Sequence, residues 1–269
     1  GDTSGTISVT INGDTTVELD ETFFVNLTNL LASGRSVTLT DDQATGTITN
    51  DDSAVVSIGN VAVTEGDSGT TTMTFTIALS NPVDTAVSLT ANTQDGTATS
   101  ANDFTAVSGA TVSFSAGSTT NQTVEVTING DSTVELNETL SLLLSSLSAG
   151  GRDVNFTGNV ASLTATGTIN NNDSATVTIG DVTLTEGNSG NTTFNFTVTL
   201  SSPVQSNVSV DYSTADDSAT VGTDYSSSSG TLTINAGSTS GTISITVSGD
   251  DTVELNETFF INLANLVVA

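Results

Sequence analysis

The stretch TMTFTIALS, residues 72–80, places large apolar side chains at every second position, with small residues between them. Successive side chains of a strand point to opposite faces of a sheet, so this alternation predicts a strand with one buried face. The same alternation returns in TFNFTVTLS, residues 193–201. The apolar positions of the two stretches are Met73, Phe75, Ile77, Leu79, Phe194, Phe196, Val198 and Leu200.

Further alternating runs lie on both sides of the first stretch, and no part of the chain has apolar residues at helical spacing. The predicted strands are residues 54–59 (continuing to 64), 72–79, 86–91, 110–115, 122–129, 139–147 and 161–169. About seven short strands separated by turn residues are typical of a two-sheet β-sandwich. The sequence therefore predicts an all-β protein.

An acidic ten-residue motif occurs three times, as GDTTVELDET (13–22), GDSTVELNET (130–139) and GDDTVELNET (249–258). Its glutamates Glu18, Glu135 and Glu254 lie 117 and 119 residues apart, which indicates tandem repeats with a period near 120. We predict three units: residues 1–53, the C-terminal part of a repeat; 54–173, a complete repeat; and 174–269, a repeat lacking its last strand. We expect the chain to be an excerpt of a longer protein.

The composition excludes several classes of function. The formal net charge is −28, and Arg35 and Arg152 are the only basic residues, so nucleic acid and anionic membranes should be repelled. The chain has no histidine, cysteine or lysine, which removes disulfides, thiolate metal sites and the common nucleophile–base pairs. No apolar run is long enough to span a membrane, so we expect no direct membrane insertion. Metal cations and positively charged groups remain as partners.

Following the strands up and down a sandwich brings nearly all acidic loops to one end. Carboxylates gathered there repel one another unless a cation binds, and Ca²⁺ takes about six to eight oxygen ligands. The candidate ligands of the middle repeat are Glu65, Asp95, Asp131, Glu135 and Asp173. The alternative is that these are solvated turn residues, since Asp, Asn and Gly favour turns for local reasons. Asp103 and Asp224 precede Phe104 and Tyr225. We interpret these aspartates as residues that fix the conformation of their own loops, with the following ring in the core, and not as metal ligands.

The series VTEGDSG, DGTAT, NDF, VEVTINGDSTVELNET and ATGTINNND in the middle repeat resembles a Calx-beta domain. The resemblance covers the middle repeat and all that is present of the other two. It implies an immunoglobulin-like antiparallel β-sandwich, which in sodium–calcium exchangers binds calcium through acidic loops at one end. It therefore implies Ca²⁺ as the cofactor, held by the five residues above and, in the other repeats, by Asp14, Glu18, Asp51, Asp52, Glu186, Asp217, Asp250 and Glu254.

The terminal acidic run differs between repeats. It is Asn50-Asp51-Asp52 in the first but Asn171-Asn172-Asp173 in the middle repeat. Fewer carboxylates favour a weaker structural site there over a high-affinity sensor with several ions.

No Pro- or Gly-rich spacer separates the repeats, so we expect the acidic end of each to lie against the next, head to tail. A cation at that junction would stiffen the array. We expect a structural segment of an extracellular surface protein, such as a stalk, adhesin shaft or filament. Its partners would be neighbouring repeats and possibly other copies in a fibre.

Two other functions remain open. The chain could be a calcium-sensing module that controls a neighbouring transporter or receptor domain. Catalysis is disfavoured, because Trp is absent, only two Tyr are present and no cleft is evident. An adhesive role in the loop 148–159 is compatible with the structural one.

The two arginines occupy one repeat position, since Arg35 and Arg152 are 117 residues apart. Arg152 is expected in a loop that faces the acidic end of the preceding repeat. We predict that it docks there, near Asp51 and Asp52, or remains an exposed loop residue.

Overall fold

The computed structural model describes residues 1–269, and all of its regular elements are β-strands. The first repeat contains β1 (Glu21–Asn26) and β2 (Gln43–Ile48). The middle repeat contains β3 (Ala54–Ile58), β4 (Val61–Thr64), β5 (Gly69–Leu79), β6 (Val87–Asp95), β7 (Ala110–Phe114), β8 (Gln122–Gly130), β9 (Glu138–Ser148), β10 (Val154–Phe156) and β11 (Leu163–Asn170). The third contains β12 (Val177–Ile179), β13 (Gly190–Leu200), β14 (Val208–Asp216), β15 (Ser229–Ile234), β16 (Ser240–Gly249) and β17 (Phe259–Val268).

No helix capable of crossing a lipid bilayer is present.

The chain divides into two compact units, and the division passes through the middle repeat. The first unit comprises Gly1–Val63, Thr72–Ile128 and Thr139–Thr168. The second comprises Thr64–Thr71, Asn129–Glu138 and Ile169–Ala269. The acidic residues 65–67, 131–138 and 173 of the middle repeat therefore belong to the same compact unit as the third repeat, whereas Asp95 belongs to the first unit.

The strands of the middle repeat form two sheets, with orders β10-β3-β5-β8 and β4-β11-β9-β6-β7. The alternation predicted for β5 is confirmed, because Met73, Phe75 and Ile77 are fully buried while the threonines between them are exposed. Leu142 and Leu144 of β9 are also fully buried. Two sheets with apolar inner faces are the predicted sandwich, and the all-β immunoglobulin-like fold is confirmed.

The third repeat has the sheets β12-β13-β16 and β15-β14-β17. Its core contains a cluster of aromatic rings. Phe259 of β17 stacks on Tyr225, with ring centroids 4.5 Å apart, and its ring also contacts Phe194 and Phe196. Such pairs are worth about 0.5–1.5 kcal/mol beyond their buried area.

Two predicted elements of the middle repeat differ from the structure. The run 54–64 is not one strand, because the chain leaves the first sheet after Ile58 and continues as β4 in the second. Gly59 and Asn60 interrupt the alternation there, and the Asn60 side chain accepts the backbone N–H of Thr166. The loop 148–159 contains β10, which pairs in parallel with β3 and covers its edge.

Candidate metal centre

Two glycines allow the acidic loops to approach closely. A Cβ atom on Gly130 would collide with the backbone carbonyls of Gly66 and Glu65. Gly249 stands in the same relation to the carbonyls of Gly187 and Glu186 in the third repeat. Only glycine permits this contact between the loop that follows β8 or β16 and the Thr-Glu-Gly loop.

In the middle repeat, three acidic loops meet within the second compact unit. The Glu65 N–H donates to the Asn170 carbonyl at 3.3 Å, and the Gly66 N–H donates to Asn172 Oδ1 at 2.9 Å. Asn172 Nδ2 in turn donates to Asp67 Oδ1 at 2.6 Å. These bonds hold the Thr-Glu-Gly loop against the terminal Asn-Asn-Asp segment.

Asp173 is the chemically unusual member of this cluster. Its Oδ2 atom is buried and has no hydrogen-bond partner. Burial raises the pKa of this carboxyl above 3.8, and the charges of Asp67 and Asp131 raise it further. A buried carboxylate oxygen without a partner is costly unless a cation supplies one. The environment of Asp173 therefore fits a bound metal ion.

The third repeat brings five carboxylates together in two overlapping groups. One group is Glu186, Asp250 and Glu254, and the other is Asp224, Glu254 and Glu257; within each, the carboxylate oxygens lie within 4.8 Å of one another. Burial raises the pKa of Glu254, followed by the charges of Asp250, Asp224 and Glu186. Burial also raises the pKa of Glu257, followed by the charges of Asp224 and Glu254. Glu254, from the repeated ten-mer, is shared by both groups.

The first repeat gathers a smaller set. Asn50 Oδ1 accepts the backbone N–H of Glu18 at 3.2 Å, and Asn50 Nδ2 donates to the Asp52 carbonyl at 2.9 Å. Burial raises the pKa of Glu18, as do neighbouring charges that include those of Asp14 and Asp52. Asp51 is exposed.

Several predicted ligands also have local roles. The first aspartate of each ten-mer accepts the N–H two residues later, at 2.6–2.7 Å, which stabilises the turn. These residues are Asp14, Asp131 and Asp250.

Asp95 and Asp217 lie outside the clusters described above. Asp95 is exposed and accepts the Ser100 N–H at 3.0 Å. The structural counterpart of Asp95 is Asp216, which accepts the Val221 N–H at 3.0 Å and the Tyr225 hydroxyl at 2.6 Å. Asp217, one residue later, accepts the hydroxyl of Thr258.

The interpretation of Asp103 and Asp224 as residues that fix the conformation of their own loops is supported. Asp103 Oδ2 accepts the Thr99 N–H at 2.6 Å, and Asp224 Oδ2 accepts the Thr220 N–H at 2.7 Å. Asp224 is also part of a carboxylate group, which its position before Tyr225 did not indicate.

Glu135 of the middle ten-mer is half-buried, and its carboxylate lies within 4.8 Å of that of Glu138. Glu138 is only 8% exposed and accepts a hydrogen bond from Gln205 at 3.3 Å. The glutamate at the end of the ten-mer therefore contacts the loop between β13 and β14.

The valines of the first two ten-mers form a contact that was not predicted from the sequence. Val17 forms a parallel bridge with Val83, and Val134 forms the same bridge with Val204. The bonds are alike: Val17 and Val134 donate to the carbonyls of Pro82 and Pro203 at 2.9 Å. The third valine, Val253, is 98% exposed. The Pro-Val dipeptide, which recurs at residues 82–83 and 203–204, was the sequence feature that could have indicated this contact.

Arg152 does not make the predicted hydrogen bonds to Asp51 and Asp52. Its guanidinium makes two 2.7 Å hydrogen bonds to Asp84, and Nη1 donates to the Gly150 carbonyl. Asp84 follows the Pro-Val dipeptide, and each of its two carboxylate oxygens accepts one of the two 2.7 Å bonds, so the pair is bidentate.

These bonds hold the pKa of Asp84 below its ordinary value. The hydrogen bond with Asp84 raises the pKa of Arg152, and the charge of Glu18 in the preceding repeat raises it further.

Other residues of the clusters were not predicted as ligands. Asp67 lies two residues after Glu65 in the Thr-Glu-Gly loop, and Glu257 lies three after Glu254. All donors at these sites are carboxylate, amide or backbone oxygens. Hard cations such as Ca²⁺ prefer this chemistry.

A family model described as the Calx-beta domain matches residues 1–53, 49–182 and 170–269. No curated protein sequence matches the chain.

Among solved structures, "CBD12 from CALX1.2" is 21% identical, with 81% of each chain covered and a TM-score of 0.38. A second, described as the "calcium binding domain CBD12 of CALX1.1", is 21% identical, with 78% of each chain covered and a TM-score of 0.35. The "Apo-form Calx CBD1 domain" is 22% identical over 45% of this chain and all of its own, with a TM-score of 0.38.

Proposed function

Because the chain belongs to the Calx-beta family, we propose that it is a calcium-stabilised structural segment of a repeat protein, with one acidic site at the end of each repeat. The observation that carries this proposal is the buried, partnerless Oδ2 of Asp173 among other carboxylates. A cation would turn the repulsion within each cluster into attraction. That change stabilises the loops that carry these carboxylates.

The residues that would hold the ion differ between repeats. In the middle repeat they are Glu65, Asp67, Asp131 and Asp173, and in the first they are Asp14, Glu18 and Asp52. In the third they are Glu186, Asp224, Asp250, Glu254 and Glu257, of which Glu254 belongs to both groups. The ion supplies positive charge, while the chain supplies oxygen ligands and the glycine contacts that bring the loops together.

The structural role is supported by the position of the valine bridges. Val17 and Val134 belong to the same ten-mers as Glu18 and Glu135, and each bonds to the Pro-Val loop of the following repeat. Ordering of the acidic loops by calcium is thereby coupled to the contact between adjacent repeats. We propose a head-to-tail array whose contacts stiffen when calcium binds.

An extracellular location suits such sites, since extracellular modules bind calcium with dissociation constants of about 10⁻⁴–10⁻³ M. At about 1 mM calcium, one such site adds about 0.4–1.4 kcal/mol to the free energy of unfolding by mass action. In a stalk, an adhesin shaft or a filament, these small contributions from each calcium site add up along the array of repeats.

The test is isothermal titration calorimetry with CaCl₂, carried out on the full chain and on its variants Glu254→Gln and Glu125→Gln. Glu125 is an exposed β8 residue outside the clusters, so Glu125→Gln removes the same charge as Glu254→Gln without changing a proposed ligand. We expect Glu254→Gln to weaken or remove binding in the third repeat and Glu125→Gln to leave the isotherm unchanged. An isotherm without calcium heat, or one unaffected by Glu254→Gln, would contradict the proposal.

A further inference from the structure

The first strand of the middle repeat is held by the last segments of the same repeat. Its second half, β4, is the edge strand of its sheet, and its neighbour there is β11. Its first half, β3, pairs with β10, which lies shortly before β11 in the chain. The beginning and the end of the middle repeat are therefore bonded directly to each other.

The hydrogen bonds between β4 and β11 show that the two strands run in the same direction. At the start of the pair, the Thr166 N–H donates to Asn60 Oδ1 at 2.8 Å. At its end, the Glu65 N–H donates to the Asn170 carbonyl at 3.3 Å. Partners that advance together along both strands define a parallel pair. The pair of β3 and β10 is parallel as well.

This direction decides how the middle repeat responds to tension along the chain. The preceding repeat pulls on the start of β3, and the following repeat pulls on the end of β11. Because the paired strands are parallel, these two points lie at opposite ends of the pair, so the pull runs along the strands and shears them. A sheared pair must lose its hydrogen bonds together, whereas a pair that is pulled apart from one end loses them one at a time. Parallel pairing of the first and last strands therefore resists tension.

Side-chain hydrogen bonds continue the pair beyond both ends of β4. Asn60 takes the place of a backbone carbonyl opposite Thr166, where β3 passes into β4. After β4, the Gly66 N–H donates to Asn172 Oδ1 at 2.9 Å, and Asn172 Nδ2 donates to Asp67 Oδ1 at 2.6 Å. More bonds thus share the load than the four residues of β4 could form alone.

We propose that the parallel pair of β4 and β11, extended by the side chains of Asn60 and Asn172, is a mechanical clamp that lets the middle repeat carry tension along the chain. This is a function beyond the stiffening of contacts between repeats, because it concerns the force that a repeat withstands before it unfolds. The clamp consists of hydrogen bonds within the chain, so the inference does not depend on calcium.

Pulling the same repeat in two directions tests the clamp. The chain has no cysteine, so molecular handles are attached at introduced cysteine pairs in the full chain. Ser53→Cys with Ser174→Cys applies force to the start of β3 and the end of β11. The control, Ser53→Cys with Ser162→Cys, applies force to the starts of both strands, where a parallel pair separates bond by bond. All three serines are exposed.

The unfolding forces are measured with optical tweezers at one loading rate and in chelator. Forced unfolding is governed by the rate of unfolding, so we expect the force in the 53–174 direction to be at least about twofold higher than in the 53–162 direction. The gain in length identifies the event, since it is at most about 3.3–3.6 Å for each residue between the handles. Equal forces in the two directions would overturn the proposal.

Proline substitution tests the ladder bonds themselves. Bonds of a parallel strand alternate between its two sides, so the bond from Glu65 places the Val63 N–H toward β11 and the Ala62 N–H toward solvent. We expect Val63→Pro to lower the 53–174 force to about half or less, and Ala62→Pro, at an exposed edge position, to leave it within about a tenth. If Val63→Pro lowered the force by the same fraction in the 53–162 direction, Val63 would only stabilise the fold and the proposal would be overturned.

Discussion

Asp173 shows how a single carboxylate can require a ligand. Its Oδ2 is buried without a hydrogen-bond partner, and burial together with Asp67 and Asp131 raises its pKa. The charged form is therefore disfavoured in the folded chain until a cation offsets the repulsion. The same physical causes act on Glu18, Glu254 and Glu257 in the other repeats.

Replacing Asp173 with Asn should separate the carboxylate's calcium role from its structural role. Asn keeps the shape but removes the charge, so we expect the calcium-dependent gain in unfolding free energy to fall by up to about 0.4–1.4 kcal/mol. Without calcium, the melting temperature should stay the same or rise. Calorimetry with calcium and with chelator measures both the calcium-dependent gain and the melting temperature without calcium.

Asp153→Asn, at an aspartate outside the clusters, is the control and should change neither value. An undiminished calcium effect in Asp173→Asn would contradict the assignment of Asp173 as a calcium ligand.

The raised carboxyl pKa values predict an unusual pH dependence. A group whose pKa is higher in the folded than in the unfolded state stabilises the fold when protonated, and this contribution is lost as pH rises through the folded pKa. Asp173, Glu18, Glu254 and Glu257 are such groups, with ordinary values of 3.8 for Asp and 4.5 for Glu. The calcium-free chain should therefore become more stable as pH falls from neutral toward 4.5.

Calcium should remove this dependence, because it stabilises the ionised carboxylates. At lower pH the opposite trend sets in, since Asp84, Asp211 and Asp224 have lowered pKa values and lose stabilisation on protonation. Thermal melts across this range with chelator and with calcium make the comparison. A calcium-free stability that only decreases on acidification from neutral pH would show that the carboxylate clusters are not repulsive.

At the scale of elements, the acidic loops and the valine bridges are parts of the same segment. The ten-mer places Val17 at 0% exposure against Val83, one residue before Glu18. Two backbone hydrogen bonds flank the bridge, from Val17 to the Pro82 carbonyl and from Asp84 to the Val17 carbonyl. A short β-bridge and one buried side chain therefore join the first ten-mer to the Pro-Val loop, and the same bridge recurs at Val134.

Val17→Ala tests this bridge, and Val253→Ala is its matched control at the same repeat position. Loss of a buried valine side chain should cost about 1–2 kcal/mol, whereas the 98% exposed Val253 should tolerate the change within about 0.5 kcal/mol. The Asp84 amide should exchange at least about tenfold faster in Val17→Ala. Equal effects of the two substitutions would mean that the bridge contributes nothing.

Strand alternation and repeat spacing were enough to predict the all-β sandwich and the convergence of Glu65, Asp131 and Asp173. Those features follow from period-two burial, which is local in sequence, and from the up-and-down path that successive strands take through a sandwich. The partner of Arg152 could not be predicted in this way. The choice of Asp84 over Asp51 and Asp52 depends on loop conformation, which alternation does not specify. The same holds for the parallel strand β10, the split of the first strand and the inclusion of Asp224 in a carboxylate group.

In the molecule as a whole, the proposed calcium sites at the acidic loops couple ion binding to the order of successive repeats. Each site contributes little, and the sandwich cores of Phe75, Ile77 and Leu142 do not depend on an ion. Removing calcium should therefore loosen contacts between adjacent repeats before any sandwich unfolds.

Small-angle X-ray scattering of the full chain, in millimolar calcium and then in chelator, tests this claim most directly. With calcium, we expect a Kratky profile of a folded chain with ordered repeats. With chelator at the same temperature, we expect a broader pair-distance distribution and a raised high-angle signal, while circular dichroism of the strands stays unchanged. Superimposable scattering profiles in the two conditions would contradict this coupling, because the acidic loops would then be solvated turns without influence on how the repeats are joined.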